Sequence, residues 1–172
     1  MSQILIGNII SFVSAMFMAA SCLADTKYKI FFYQVLECLV LAVASVFFGS
    51  LAGAVTLVLC ALRNYIIARE RFSRVIMWLF VILTIVSGVW VNNLGLLGLI
   101  PVIATVEYTI CCHYITSVKG TKYSIFVNVL LWVIYSFMIY DFSTGIADTI
   151  VLIVDAAAIV RMRHSSQPAE HD

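Results

Sequence analysis

This chain of 172 residues is 63% hydrophobic and 11% charged, and its formal net charge at pH 7 is +1. Soluble domains contain about 45–50% apolar and about 25% charged residues, so the composition excludes a water-soluble globular protein and predicts an all-α, polytopic membrane protein. The net charge by itself says nothing about nucleic acid, but no basic or aromatic-basic stripe is present, so nucleic acid is not expected as a partner. The composition therefore makes the lipid bilayer the expected surroundings.

Apolar runs divide the chain into seven predicted spans. A membrane-spanning helix needs about 20 mostly apolar residues, with a range of about 17–25. The predicted spans are 3–23, 28–48, 50–69, 74–91, 94–117, 122–140 and 144–162. Charged residues mark three of the breaks, at Asp25–Lys29, Arg69–Arg74 and Lys119–Lys122. The other three breaks are turns of Gly, Asn or Asp, which form turns readily, at Gly49-Ser50, Asn92-Asn93 and Asp141–Thr144.

The basic residues predict the orientation of these spans. All ten Lys and Arg residues lie in, or just inside, four connections that alternate with three connections lacking Lys and Arg. With seven spans, the four basic connections all face the same side of the membrane. The positive-inside rule makes that side the cytoplasm, so we expect the N-terminus outside and the C-terminus in the cytoplasm.

An internal match predicts the architecture. The segment TKYKIF at 26–31 recurs as TKYSIF at 121–126, an offset of 95 residues. The match predicts one transmembrane domain, 1–163, with two three-helix units joined by a linker helix. A three-helix unit ends on the side opposite its start, so a linker must cross back before a second copy begins in the same orientation. The predicted units are 1–70 and 94–163, with the linker helix at 74–91.

This plan of three, one and three helices is a parallel repeat, and transporters built from repeats bind their substrates between the halves. Beyond the domain, 164–172 is polar, contains Pro168 and is predicted to be a disordered cytoplasmic tail.

Polar side chains at membrane depth are the candidates for a solute-binding site, because they are costly there and often functional. Asp148 lies near the outer end of the last span and is expected to be hydrated rather than part of this set. The candidates are Gln34, Glu37, Arg63, Asn64, Glu107, Asn128, Trp132 and Asp155.

Two interpretations of these residues stay open. In the first, they line a polar cavity where Arg63 attracts an anionic or hydroxylated solute, or where a carboxylate carries a coupling proton. In the second, Arg63 forms a structural ion pair with Glu37 or Asp155, and the amides and Trp132 pack between helices.

Enzymatic and metal chemistry are not expected. The five cysteines lie in or at the ends of apolar runs without the spacing of a metal site, and no GxSxG, HExxH or P-loop motif occurs. The sequence therefore predicts no catalytic residues, no cofactor and no metal. Pro101 is predicted to kink the fifth span.

Several segments resemble the YgjV-type family of bacterial inner-membrane proteins, and the resemblance spans nearly the whole chain. It implies residence in the bacterial inner membrane and a fold related to the SWEET and SemiSWEET sugar transporters and the wider PQ-loop group. Those proteins have the plan of three, one and three helices with the N-terminus outside. The segments that carry the resemblance are Ala61-Leu62-Arg63-Asn64, Arg69-Glu70-Arg71, Ile100–Thr105, Trp132–Tyr135, Ser143–Ile150 and Ile159-Val160-Arg161.

The chain also departs from the SWEET pattern. No Pro-Gln dipeptide occurs in the first or fifth span. At the offset of 95 residues the counterpart of Asn64 is Ile159, so the paired asparagines of SWEET sugar sites are not expected.

Two functions follow as expectations. The first is a small-solute transporter or facilitator of SWEET-like architecture, and the YgjV-type family implies no particular substrate for it. The alternative is a non-transporting membrane scaffold, receptor or assembly partner. A homo-oligomer is compatible with either.

Overall fold

A computed structural model describes residues 2–22, 24, 26–115 and 118–164. In this part of the chain there are seven α-helices and no strands, as the composition and the breaks predicted. The predicted disordered tail lies outside the described residues, except for His164 at the end of the last helix. The helices are α1 (Ser2–Cys22), α2 (Lys27–Phe47), α3 (Leu51–Ala68), α4 (Arg74–Trp90), α5 (Leu99–Tyr114), α6 (Val118–Met138) and α7 (Phe142–His164).

The lengths and surfaces of the helices fit a membrane. Segments of α1, α2 and α3 are long and apolar enough to cross a bilayer, while α4, α5 and the Tyr123–Met138 part of α6 are apolar but shorter. Large hydrophobic side chains lie on the outer surface, with Trp90 86% exposed and Leu96 87% exposed. In water such a surface would be unusual for a monomer, whereas lipid solvates it.

α5 is shorter than the predicted span at 94–117 because the preceding residues form turns. The Asn92 side chain donates to the Gly95 carbonyl oxygen at 2.7 Å, and Gly95 has a φ of +58°, a conformation that glycine adopts without strain. Pro101 then lies in the first turn of α5, where its missing N–H leaves no helical hydrogen bond unmade. The prediction that Pro101 kinks the fifth span was therefore wrong, because Pro101 lies at the start of α5 and not in its interior.

The starts of α6 and α7 also differ from the predicted ones. α6 begins at Val118 rather than at 122, so the connection before it is shorter than predicted and Gly120 is helical. α7 begins at Phe142 rather than at 144 because Asp141 caps it, its Oδ1 accepting a hydrogen bond from the Thr144 N–H at 3.1 Å.

Six of the helices close into a ring. α1 packs on α2, α2 on α3, α3 on α5, α5 on α6, α6 on α7, and α7 on α1. α4 packs against α3 and α5 only, and so it lies outside the ring. Small buried side chains such as Ala42, Ala44 and Ala61 let α2 and α3 approach closely.

The turns α2–α3 and α6–α7 share one backbone geometry. Gly49 and Tyr140 occupy matching positions with φ of +72° and +64°. The backbone hydrogen bonds match one for one at an offset of 91 residues: Phe48 N to Ala44 O with Ile139 N to Tyr135 O, Gly49 N to Val46 O with Tyr140 N to Phe137 O, and Ser50 N to Ser45 O with Asp141 N to Ser136 O. The helices that flank these turns also begin 91 residues apart.

This structural offset replaces the predicted one of 95 residues. Thr26 is the N-cap of α2 and accepts a hydrogen bond from the Lys29 N–H at 3.3 Å. Thr121, its predicted counterpart, lies inside α6, which begins at Val118. The two TKY segments therefore do not occupy equivalent positions.

Candidate functional site

A cavity of about 590 Å³ lies inside the ring of helices. Each of the six ring helices contributes to its lining, and α4 does not. The volume lies within the range of about 300–1,000 Å³ that is typical of small-molecule sites. Seven of the eight candidate residues line it: Gln34, Glu37, Arg63, Asn64, Asn128, Trp132 and Asp155.

Arg63 lines this cavity rather than forming the alternative ion pair with Glu37. Its Nε and Nη2 donate to Asn64 Oδ1 at 3.2 and 3.0 Å, and Nη1 donates to Thr109 Oγ1 at 3.0 Å. Its Cζ lies 5.0 Å from the centroid of the Tyr108 ring, a cation–π distance. Within the described residues, the guanidinium thus makes its hydrogen bonds to neutral side chains. Its contacts with Thr109 and Tyr108 join α3 to α5.

The two asparagines of the lining are held by their neighbours. Asn64 is 3% exposed, and its Nδ2 lies 3.9 Å from Cys38 Sγ on α2. Asn128 Nδ2 donates to the Ala104 carbonyl oxygen on α5 at 2.7 Å. That contact uses the donor side of the Asn128 amide and leaves its Oδ1 as an acceptor.

Asp148 is a functional candidate that the sequence interpretation missed. It was expected to be hydrated at the outer end of the last span, but it is 7% exposed and lines the cavity. It shares the cavity with the carboxyl group of Glu37 on α2. In the described part of the chain, neither carboxylate has a hydrogen-bond or ion-pair partner. The signal that was available is an acidic residue one and a half turns into a span.

Glu107 is the candidate that does not belong to this cavity. Its Oε1 accepts hydrogen bonds from Ser124 Oγ at 2.9 Å and from Cys111 Sγ at 3.2 Å. Ser124 and Cys111 line a separate, smaller cavity of about 210 Å³. The prediction that Glu107 shares a site with Glu37 and Arg63 is therefore wrong, because the side chain points from α5 toward α6.

The lining residues lie toward one end of the ring. On α2 they run from Gln34 to Leu41, away from the α2–α3 turn, and on α6 they reach from Ile125 to Trp132. The next turn of α6 holds Tyr135, which is 1% exposed. The Tyr135 ring packs edge-on against the Trp132 ring at 5.7 Å between centroids, so the floor of the cavity is Trp132, backed by Tyr135.

Hydrogen bonds close the ring beyond that floor. The Tyr135 hydroxyl bonds to Ser50 Oγ at the N-cap of α3. Ser11 Oγ on α1 donates to Asp141 Oδ2 at 2.9 Å. Burial raises the pKa of the Asp141 carboxyl above its ordinary value, and its hydrogen bonds from Thr144 and Ser11 act in the opposite sense.

The α6–α7 turn is held by Asn8 of α1, at the opposite end of the chain. Asn8 Nδ2 donates to the Tyr140 carbonyl oxygen at 2.9 Å, and its Oδ1 accepts from the Ser143 N–H at 3.0 Å. The Asn8 carbonyl oxygen also accepts from Ser143 Oγ at 2.9 Å.

The α2–α3 turn is held in the same way by Asn93, from the connection before α5. Asn93 Nδ2 donates to the Gly49 carbonyl oxygen at 2.6 Å, and its Oδ1 accepts from the Leu51 N–H at 3.2 Å. Tyr140 and Gly49 are matching positions of the two turns. The sequence interpretation treated Asn93 only as a turn former and did not single out Asn8.

Eight pairs of lining residues are separated by the same offset of 91 residues as the turns, and in two of these pairs both side chains are acids or amides. Glu37 on α2 matches Asn128 on α6, and Asn64 on α3 matches Asp155 on α7. The predicted counterpart of Asn64, Ile159, was therefore wrong. The cavity has a polar side chain at each of these four matching places.

The chain can now be compared with known proteins. A family model described as a bacterial inner membrane protein, Imp-YgjV, matches residues 5–166. No curated protein and no solved structure matches the chain, so the relation to SWEET and PQ-loop transporters stays a prediction. Because the family match covers nearly its whole length, the chain belongs to the YgjV family of bacterial inner membrane proteins.

Proposed function

We propose that this protein is a transporter or facilitator that passes a small solute across the bacterial inner membrane, and not an enzyme. In this proposal all seven helices span the bilayer, with the N-terminus outside and the C-terminus in the cytoplasm. The observation that carries the proposal is the cavity of about 590 Å³ inside the helix ring, with Glu37, Arg63 and Asp148 in its wall. Charged groups at this depth are costly, and a solute that meets them there offsets that cost.

The closed turns support a mechanism of alternating access. Tyr135, which backs the cavity floor, and the hydrogen-bonded turns lie at one end of the ring. The cavity lies toward the other end, where the basic connections are. In the proposed orientation the closed end faces outward and the cavity serves the cytoplasmic side. Opening then requires the hydrogen bonds that Asn8 and Asn93 make to the two turns to break.

The proposed architecture is the SWEET-like plan, a parallel repeat of α1–α3 and α5–α7 joined by α4. Around the ring the order of helices is α1, α2, α3, α5, α6, α7. Exchanging α1 with α5, α2 with α6 and α3 with α7 leaves this cyclic order unchanged. The matching turns at an offset of 91 residues support the same equivalence. Each turn is held by an asparagine from outside its own three-helix unit, Asn8 of α1 for the α6–α7 turn and Asn93 of the α4–α5 connection for the α2–α3 turn.

Uptake into proteoliposomes tests the function. We expect the wild type to carry at least one member of a panel of radiolabelled amines, amino acids, polyols and small acids faster than protein-free vesicles do. Glu37→Gln and Arg63→Ala each slow that uptake by about tenfold or more, since a lost charge contact in a desolvated site costs about 1.4 kcal/mol or more. Glu70→Gln, an exposed carboxylate in the α3–α4 connection, is the matched control and keeps the wild-type rate.

Wild-type vesicles that cannot be told from empty ones across this panel would count against transport. In that case the non-transporting alternative, a scaffold or assembly partner, becomes the function to examine. A stoichiometric partner recovered by cross-linking in native membranes would favour it.

A further inference from the structure

Two carboxyl groups in the cavity wall, those of Glu37 and Asp148, have no hydrogen-bond or ion-pair partner in the described part of the chain. Glu37 on α2 and Asp148 on α7 line the same cavity. Asp148 is more than nine-tenths buried, and no hydrogen bond or ion pair within the described residues reaches either carboxylate. A buried carboxylate needs a cation, a proton or hydrogen-bond donors to offset its desolvation. The wall therefore favours a ligand that brings positive charge and N–H donors.

Arg63 is not the positively charged partner of Glu37 and Asp148. Three hydrogen bonds commit its guanidinium to Asn64 and Thr109, and its plane is placed over the Tyr108 ring. Moving it toward Glu37 would give up these contacts together. The guanidinium is thus a fixed part of the wall between α3 and α5.

Two other groups that line the same cavity also suit a cation. Asn128 has used its amide N–H₂ on the Ala104 carbonyl oxygen and presents an acceptor. The Trp132 indole lines the cavity, and an indole face is the best aromatic partner for an ammonium group. A protonated primary amine has three N–H donors, which two carboxylates and an amide oxygen can accept.

We propose that the cavity binds a small solute bearing a protonated amine, with Glu37 and Asp148 as its charge partners and Trp132 as the aromatic wall. This inference rests on the proposed function only in that the cavity is taken as the solute site. It names a chemical class, organic ammonium compounds, and assigns Asp148 to the site.

A set of probes of equal size and different charge tests the inference. The set is 3-aminopropanol as the cation, β-alanine as the zwitterion, 1,3-propanediol as the neutral compound and 3-hydroxypropionate as the anion. Binding to the purified protein in detergent is measured by calorimetry and by the shift of the thermal unfolding midpoint. We expect 3-aminopropanol to bind at least about tenfold more tightly than the diol or the acid, as one added charge contact predicts.

Two variants locate the site. Glu37→Gln and Asp148→Asn keep the size of each side chain and remove its charge, and each should weaken 3-aminopropanol binding by about tenfold or more. Glu70→Gln removes an exposed carboxylate outside the cavity and should leave the affinity unchanged. Circular dichroism spectra and unfolding midpoints without ligand show which variants are folded.

The possible results separate this inference from the proposed function. The inference would be overturned if the diol or the acid bound as tightly as the amine, or if no probe bound. It would also be overturned if sodium chloride raised the thermal unfolding midpoint as much as the amine does. Amine binding that survives both cavity variants would overturn the assignment of the site. Because binding is measured without a membrane gradient, amine binding without uptake contradicts transport alone, and uptake of only neutral or anionic solutes contradicts the inference alone.

Discussion

Among the described residues, the Arg63 guanidinium inside the helix ring is held by neutral side chains and has no direct carboxylate partner. It is 4% exposed, and its contacts are the Asn64 amide oxygen, the Thr109 hydroxyl and the Tyr108 ring. Each partner is neutral, so the cost of desolvating the charge is met by several oriented dipoles and a ring quadrupole. The same contacts join α3 to α5, one of the two places where the halves of the ring meet.

Thr109→Val tests the contribution of one of these contacts. The substitution keeps the shape of the side chain but removes the acceptor for Arg63 Nη1 and the hydrogen bond to the Thr105 carbonyl oxygen. We expect it to lower the free energy of unfolding by about 1.5–3 kcal/mol, the range for a hydrogen bond to a charged group. The measurement is reversible unfolding in detergent micelles.

Thr149→Val is the matched control for this measurement. It removes only a bond to the Gly145 carbonyl oxygen within α7 and should cost clearly less. Equal losses in the two variants would mean that the Arg63–Thr109 contact contributes little.

At the scale of the elements, the two turns at the closed end are held by residues distant in the chain. The connection between α2 and α3 gains hydrogen bonds from Asn93, and the connection between α6 and α7 gains them from Asn8. A turn backbone in or near a bilayer has few water molecules to satisfy its polar groups, so side-chain amides take that place. Each of the two turns therefore depends on an asparagine from a distant part of the chain.

Hydrogen exchange measures this dependence turn by turn. Asn93→Ala should speed amide exchange in peptides covering Phe48–Leu51 and leave those covering Ile139–Ser143 near the wild-type rate, because it loses bonds to the first turn only. Asn8→Ala should do the reverse, so each variant is the control for the other. The loss of about 1 kcal/mol per hydrogen bond predicts exchange faster by about fivefold or more. Equal acceleration of both turns in both variants would contradict separate clamps.

At the scale of the whole molecule, six helices surround the cavity and α4 stands outside them. This position fits a helix whose task is to return the chain across the membrane between the two halves. α4 is apolar around its circumference, with Val75, Leu79, Ile82 and Val86 among its exposed side chains, as lipid contact requires. Because α4 lies outside the ring, the cavity wall is formed by α1–α3 and α5–α7, the two units of the proposed repeat.

Thiol labelling tests the orientation of the whole molecule. In a background without the native cysteines, Leu96→Cys in the α4–α5 connection should react with a membrane-impermeant maleimide on intact spheroplasts. Arg71→Cys in the α3–α4 connection should react only after the membrane is permeabilised. Both side chains are exposed, so accessibility depends on the side of the membrane. Labelling of the two from the same side would contradict a spanning α4, and the reversed pattern would contradict the proposed orientation.

Hydropathy and turn chemistry act over short distances, and the features they govern were predictable. They placed seven helices, the weak turns at Gly49 and Asn92, and most of the charged and amide residues of the cavity. The errors lie where a side chain's direction around its helix decides the outcome. Asp148 points into the cavity although it is near the N-terminal end of α7. Glu107 points toward Ser124 and away from the main cavity.

The offset between the halves shows the limit most clearly. Offsets of 95 and 91 residues differ by four, which is about one helical turn, so the apolar pattern of a span changes little between them. The TKY match favoured the first, whereas the turns at Gly49 and Tyr140 share their backbone geometry at the second. The sequence by itself determined the helices and which polar groups they carry, because those depend on local composition. The tertiary structure decided which of these groups face one another, since that depends on how the helices are rotated and ordered around the ring.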